Sequence, residues 1–320
     1  MNIVGHQKII EFLRNSIKNK MLAQSYLFCG PEHVGKRATA VYFAANLLCN
    51  SQDSPCFECE SCRQILKGKH PDVHFIRKID GKDISISQVR EVKGIVNLAP
   101  LSGSSKVVII EDADSLTIPA ANSLLKVLEE TPSHVFIILL IRGFGNLPTT
   151  IRSRCQILRF LPPSSEELSN FLKKEFGLSL AEAKKISNLS LNLPGLAIKL
   201  AQDKENGFKN YENLTEKFIS LLSERNNLEN KFKLASMILK LDVKQTLFSL
   251  IQFIRDLSLV KLKLYPSSPL GKSKLLDLSE KYSQGELYFF INQILKTQVL
   301  LAKHANKKLL IENLVLNDFV

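Results

Sequence analysis

The sequence has no uninterrupted apolar run near the roughly 18 residues that a membrane-spanning helix requires, which argues against a membrane protein. Its first residues, MNIVGHQKII, lack the apolar segment and cleavage site of a secretory signal, so a cytoplasmic location is expected. There is no internal repeat and no low-complexity tract. The histidines His6, His33, His70, His74, His134 and His304 show neither metal-ligand nor triad spacing and are read as structural or exposed. No Ser/His/Asp or Cys/His nucleophile arrangement can be assigned. Cysteine is sparse, six in 320 residues, yet four fall between positions 49 and 62. In a reducing cytoplasm they are not expected to be disulfides.

What is present is a soluble globular composition, 45% hydrophobic and 23% charged. A chain of 320 residues exceeds one ordinary core, so two or three domains are expected. The net charge of +12 makes an anionic partner plausible, nucleic acid first. A lysine-rich background serving only solubility explains it equally well, because a net charge does not locate a patch.

Residues 6–20 carry apolar positions at helical spacing. The short apolar strand 25–29 then runs into a glycine loop, and the stretch after Lys36 reads as a helix. Strands are expected at 71–76, 106–112, 135–141 and 156–160, with helices at 87–96 and 121–130 between them. Such alternation predicts an α/β domain, a parallel sheet with helices on both faces, over residues 1–162. After Leu161-Pro162-Pro163 the composition changes. Ser164 with Glu167, and Ser179 with Glu182, have capping-box spacing and open two helices, Gly177 closing the first. A third follows Pro194, giving a small helical domain over 163–207. From 208 to 320 every period is helical, with 266–273 the clearest loop. Leu310, Ile311, Leu314, Val315 and Phe319 form one apolar stripe on the last helix.

Residues 29–37, CGPEHVGKR, match a phosphate-binding loop at Gly30, Gly35 and Lys36. Backbone N–H groups at such a turn cradle phosphate, and the lysine adds charge. Arg37 stands where a Ser or Thr hydroxyl would hold Mg2+, and a cation in that slot repels the metal. The strand 106–110 ends in Glu111-Asp112, carboxylates in the inverse of the Asp-Glu order that holds metal and polarises water. Alone, this is no more than a solvated strand end. Cys49, Cys56, Cys59 and Cys62 supply four thiolates, enough to close a tetrahedral Zn2+ site with no open position, hence a structural one. Cys29 reads as a small core residue. Ser153, Arg154 and Cys155 lie at a turn after the last buried strand, where a single arginine is most simply a surface ion pair. Arg90 and Lys93 share a helix face that reads as solvated.

Together, residues 3–13, 25–36, 106–132, 147–155 and 305–316, with the four cysteines, resemble the delta-prime family of bacterial DNA polymerase III clamp-loader subunits, within the AAA+ class. The resemblance spans nearly the whole chain. It implies an AAA+ phosphate-loop domain, a small helical lid and an all-helical C-terminal collar. It implies a heteropentamer with gamma/tau and delta subunits that opens a sliding clamp and places it on primer-template DNA. Arg154 would reach the ATP of a neighbouring motor subunit, contributing on the order of 10³–10⁵ in rate. Set against the motor pattern, the sensor at the end of strand 135–141 is Ile141 and the second-sensor slot holds Gly195. These departures, with Arg37 and Glu111-Asp112, imply no intrinsic ATPase, doubtful ATP binding and no Mg2+, in a subunit of a polymerase assembly. The other readings are a gamma/tau-like ATPase and a DNA-binding scaffold unconnected to a clamp.

Overall fold

The computed structural model describes residues 3–145, 147–202, 216–223, 227–264, 272–302 and 305–318. They group into two compact units. The first runs to Phe171 and includes Leu193–Leu196; the second holds Leu172–Asn192 and the chain from Ala197 onward.

The first unit is built on five strands: β1 (Ser25–Cys29), β2 (Val73–Ile76), β3 (Lys106–Ile110), β4 (Val135–Ile141) and β5 (Gln156–Arg159). Their order is β2-β3-β4-β1-β5. All four pairings are parallel. Every residue of β1, β3 and β4 is buried, the continuous apolar pattern expected of strands covered on both faces. On one face Leu27, Val108, Ile110, Ile137 and Leu139 pack with apolar residues of α4 (Ile86–Asn97) and α5 (Ile118–Glu129). On the other, Phe43 of α2 (Lys36–Leu48) stacks on Tyr26 at 5.4 Å and Phe136 at 6.1 Å. The parallel sheet with helices on both faces is therefore as the alternating pattern predicted.

The remaining helices of this unit are α1 (Gln7–Lys18), α3 (Glu60–Leu66) and α6 (Thr149–Arg152). α6 is short: Thr149 to Arg152 complete a helical turn after Pro148, with the Ile151 and Arg152 amides bonded to the Pro148 carbonyl. Both capping boxes form. The Ser164 amide donates to Glu167 Oε2 (3.0 Å), opening α7 (Ser165–Phe176), and Ser179 does the same with Glu182 (2.9 Å) for α8 (Leu180–Leu189). α9 follows at Pro194–Gln202.

Residues 216–223 are helical (α10) and lead to α11 (Leu228–Lys240), α12 (Val243–Lys261), α13 (Lys272–Lys281), α14 (Gln284–Ala302) and α15 (Lys307–Asn313). Their apolar faces make one core that includes Phe218, Leu234, Phe253, Leu275, Phe290 and Ile311. Of the expected terminal stripe, Ile311, Leu314 and Val315 are fully buried; Phe319 lies outside the described residues, as do His304 and most of the expected 266–273 loop. Lys272 and Ser273, at the end of that loop, already belong to α13. Among the described residues no helix is long and apolar enough to cross a membrane.

Candidate functional site

β1 is flanked by β4 and β5, although neither is its neighbour in sequence. The chain leaves β1 towards the β2 edge and leaves β4 towards the β5 edge, so their carboxyl ends diverge into a crevice, the usual ligand position in open α/β sheets. The glycine loop fills it. A Cβ on Gly30 would lie 2.3 Å from the Phe160 carbonyl oxygen, so only glycine fits there. Gly35, at φ +114°, turns the chain into α2. His6 braces the loop from outside: its Nε2 lies 2.9 Å from the Val34 carbonyl, and its ring packs edge-on against Phe160 at 4.7 Å. Burial lowers the His6 pKa, and the Val34 carbonyl, which can only accept, places a ring proton on Nε2.

The loop turns its donors inward. Lys36 Nζ donates to the carbonyls of Gly30 (2.6 Å) and Pro31 (2.7 Å), and burial lowers its pKa against the raising influence of Glu32, Asp114 and Asp112. The first turn of α9 closes the tip. The Gly195 amide donates to the His33 carbonyl at 2.8 Å, and a Cβ on Gly195 would meet His33 at 3.1 Å. An arginine in that slot would collide with the loop rather than project over it.

Both carboxylates at the end of β3 face guanidinium groups of their own chain. Arg37 Nε donates to Glu111 Oε1 at 2.7 Å, with its guanidinium 5.3 Å from the Phe75 ring centre. Arg142, first residue after β4, lies 3.5 Å from Asp112 and 2.5 Å from Glu32 of the loop. These pairs are largely exposed, so each stabilises the fold by only about 0–1 kcal/mol. Their consequence is for occupancy: a divalent cation would arrive where positive charge is already placed. Ile141 is buried and offers no polar atom to a phosphate. A cavity of about 450 Å3 beside Asp112, Asp114, Ser115 and Arg142 is not lined by Gly30, Gly35 or Lys36.

The structure thus joins Gly30, Gly35, Lys36, Arg37, Glu111 and Asp112 at one end of the sheet. It puts Ser153, Arg154 and Cys155 at the other. These three lie between β4 and β5, whose pairing sets Gln156 opposite Tyr26 and Arg159 opposite Cys29. Arg154 is therefore level with the start of β1, at least about 13 Å along the strands from its own phosphate loop. Arg154 bonds Glu129 Oε1 at 2.5 Å and the Thr150 carbonyl at 2.9 Å, with 39% of its side chain exposed. Ser153 Oγ donates to the Thr150 carbonyl at 3.0 Å. Burial pushes the Cys155 thiol up to about 12, which makes it an inert packing group.

The cysteine module lies beyond the far end of α2, about 20 Å of helix from the loop. The sulfur atoms of Cys49, Cys56, Cys59 and Cys62 all lie within 4.8 Å of one another, with Cys49 at 3.5 Å from Cys56 and 4.0 Å from Cys59. A tetrahedral Zn2+ with bonds of about 2.3 Å needs sulfurs about 3.8 Å apart, so the residues fit the ion. Backbone amides of Ser51, Cys59 and Cys62 donate to the sulfurs of Cys49, Cys56 and Cys59 at 3.3–3.4 Å, the hydrogen bonding that favours thiolates. The Cys59 amide, followed by that of Glu58, lowers Cys56 to about 6, whereas burial and the adjacent thiols push Cys62 to about 12. Ionising all four sulfurs this close together would need a cation among them.

Arg142, Glu32, His6, His33 and Glu129 carry no motif and are not marked out by the sequence.

Residues 5–164, half of the chain, match the family described as "DNA polymerase III, delta subunit". The chain belongs to this family. Among its relatives, DNA polymerase III subunit delta' of Bacillus subtilis is 32% identical over 199 residues, 62% of this chain and 60% of that protein. Subunit tau of the same organism is 34% identical over 175 residues, 54% of this chain and 31% of tau. Subunit gamma of Buchnera aphidicola (from Acyrthosiphon pisum) is 30% identical over 264 residues, 78% of this chain and 70% of gamma. The match thus spans 31% and 60% of the two Bacillus relatives, less than two thirds of either.

Proposed function

We propose that this chain is a clamp-loader subunit of the delta-prime kind, that it does not hydrolyse ATP itself, and that it assists hydrolysis in a neighbour. The observation that carries this reading is the pairing of both β3-end acids with the chain's own guanidinium groups, Glu111 with Arg37 and Asp112 with Arg142. The inward-turned Lys36 and the Gly195 contact support it, because the loop's donor and its tip are already engaged.

Arg154 is the group offered to the neighbour. It is too far along the strands to reach its own loop, so any γ-phosphate it touches belongs to another subunit. Its pair with Glu129 is exposed and worth about 0–1 kcal/mol, so exchange for a phosphate is cheap. The guanidinium would then stabilise charge developing on the transferred phosphoryl group. The partners are gamma/tau and delta subunits in a heteropentamer, acting with a sliding clamp and primer-template DNA in the cytoplasm. Zn2+ held by Cys49, Cys56, Cys59 and Cys62 would fix the chain between α2 and β2 without taking part in chemistry. Residues 1–162, 163–207 and 208–320 act as phosphate-loop domain, lid and collar.

The test is Arg154→Ala in a reconstituted loader. ATP hydrolysis at one interface is expected to fall on the order of 10³-fold with assembly intact; unchanged turnover would overturn the role. A motor reading draws on the gamma relative, 30% identical over 70% of its length. It requires ATPase activity from the purified chain that Lys36→Ala abolishes.

A further inference from the structure

Between the cysteine module and the sheet runs a relay of polar groups, with His70 and Asp72 buried, Ser61 half-buried and Ser102 exposed, that neither the phosphate loop nor Arg154 uses. Ser61 lies between Cys59 and Cys62 in the first turn of α3. Its hydroxyl donates to the Leu48 carbonyl at 3.1 Å, one residue before Cys49, and lies 3.0 Å from His70 Nε2. His70 is 5% exposed, and its Nδ1 accepts the Asp72 amide at 3.1 Å. That fixes the proton of the neutral ring on Nε2, which donates to Ser61. Asp72 is fully buried. Its carboxylate accepts the amides of Leu101 (2.7 Å) and Ser102 (2.8 Å) and the Ser102 hydroxyl (2.8 Å). The next residue gives a second link: a Cβ on Gly103 would be 3.1 Å from Leu48 Cδ2, so the loop rests on the residue that leads into the first cysteine.

Loop 98–104 thus has its backbone tied by a buried carboxylate while presenting Leu98 (64% exposed) and Leu101 (80% exposed) outward. Two exposed leucines lose entropy on docking unless the backbone beneath them is already ordered. We propose that the cysteine module, filled by a zinc-like divalent cation, sets the conformation of loop 98–104 through Ser61, His70, Asp72 and Ser102. The metal orders Cys59 to Cys62 and so places Ser61. Ser61 orients His70, whose Nδ1 holds the Asp72 backbone, and Asp72 holds the loop. The module is then a brace for a surface some 40 residues further along the chain. This inference rests on the cluster holding a metal, as proposed above.

The test is amide hydrogen exchange at Leu101 and Ser102 in the full chain, zinc-loaded or chelator-stripped, with zinc content measured in parallel. Stripping is expected to speed exchange at these amides at least about tenfold, as weakening of hydrogen bonds to a buried carboxylate implies, with β4 amides unchanged. His70→Ala is expected to retain one zinc per chain, to show the same faster exchange when loaded, and to respond little further to stripping. Unchanged loop exchange in a stripped chain, or a full stripping effect in His70→Ala, would overturn the relay. If stripping also exposes β4, the loaded His70→Ala chain decides: faster loop exchange supports the relay and unchanged exchange overturns it. A purified chain that binds no zinc would overturn the reading of the cluster, and this inference with it.

Discussion

Arg37 Nε sits 2.7 Å from Glu111 Oε1, so the cation that follows Lys36 in the glycine loop is bonded to the acid at the end of β3. The Arg37 side chain is 60% exposed, and the pair is screened by water. Arg37→Ala is therefore expected to lower folding stability by less than about 1 kcal/mol in denaturant unfolding. A larger loss would mean that the pair holds the fold rather than occupying a binding position.

Gly30 is where the loop passes beneath Phe160, with no room for one added carbon. Gly30→Ala forces backbone against backbone and is expected to cost about 1–3 kcal/mol or more. Thermal unfolding measures it. A neutral effect would contradict the close approach of the loop to the end of β5.

Removing one thiolate should empty the cysteine module. Cys59→Ser is expected to reduce bound zinc from one per chain to near zero, and acid should release the metal from the native chain as thiolates are protonated. Metal analysis after gel filtration reads both. Full zinc content in Cys59→Ser would remove Cys59 from the ligand set.

Asp72 gives a pH dependence of known sign. Burial by itself raises its pKa, but the Leu101 and Ser102 amides and the Ser102 hydroxyl outweigh it and leave the pKa below the ordinary aspartate value of 3.8. An unfolded chain then binds the proton more readily than the folded one. The stabilisation is present above the ordinary aspartate range and is lost as pH falls through it towards the folded value. Asp72→Asn is expected to lower stability at neutral pH and to flatten the acid limb of the stability curve. An unchanged acid limb would contradict the bonding seen at Asp72.

The phosphate loop and the cysteine module were legible because their residues lie close in sequence, where spacing alone carries the chemistry. The strands were legible because β1, β3 and β4 are buried on both faces and read as apolar runs. Arg142 was not legible, because its pairing with Asp112 and Glu32 arises only when the order β3-β4-β1 sets three strand ends side by side. The placement of Arg154 away from its own loop was equally hidden, since it follows from the register of β5 on β1. The tie from Ser61 to Ser102 uses common residue types with no period, so its only signal is the contact itself.

The most direct measurement is calorimetric titration of the purified chain with ATP, with and without Mg2+, followed by an assay for phosphate release. With guanidinium groups standing where the metal would bind, Mg2+ is expected to add no affinity and no phosphate should appear. Binding strengthened tenfold or more by Mg2+, with hydrolysis that Lys36→Ala abolishes, would contradict a subunit that assists its neighbour's chemistry without performing its own.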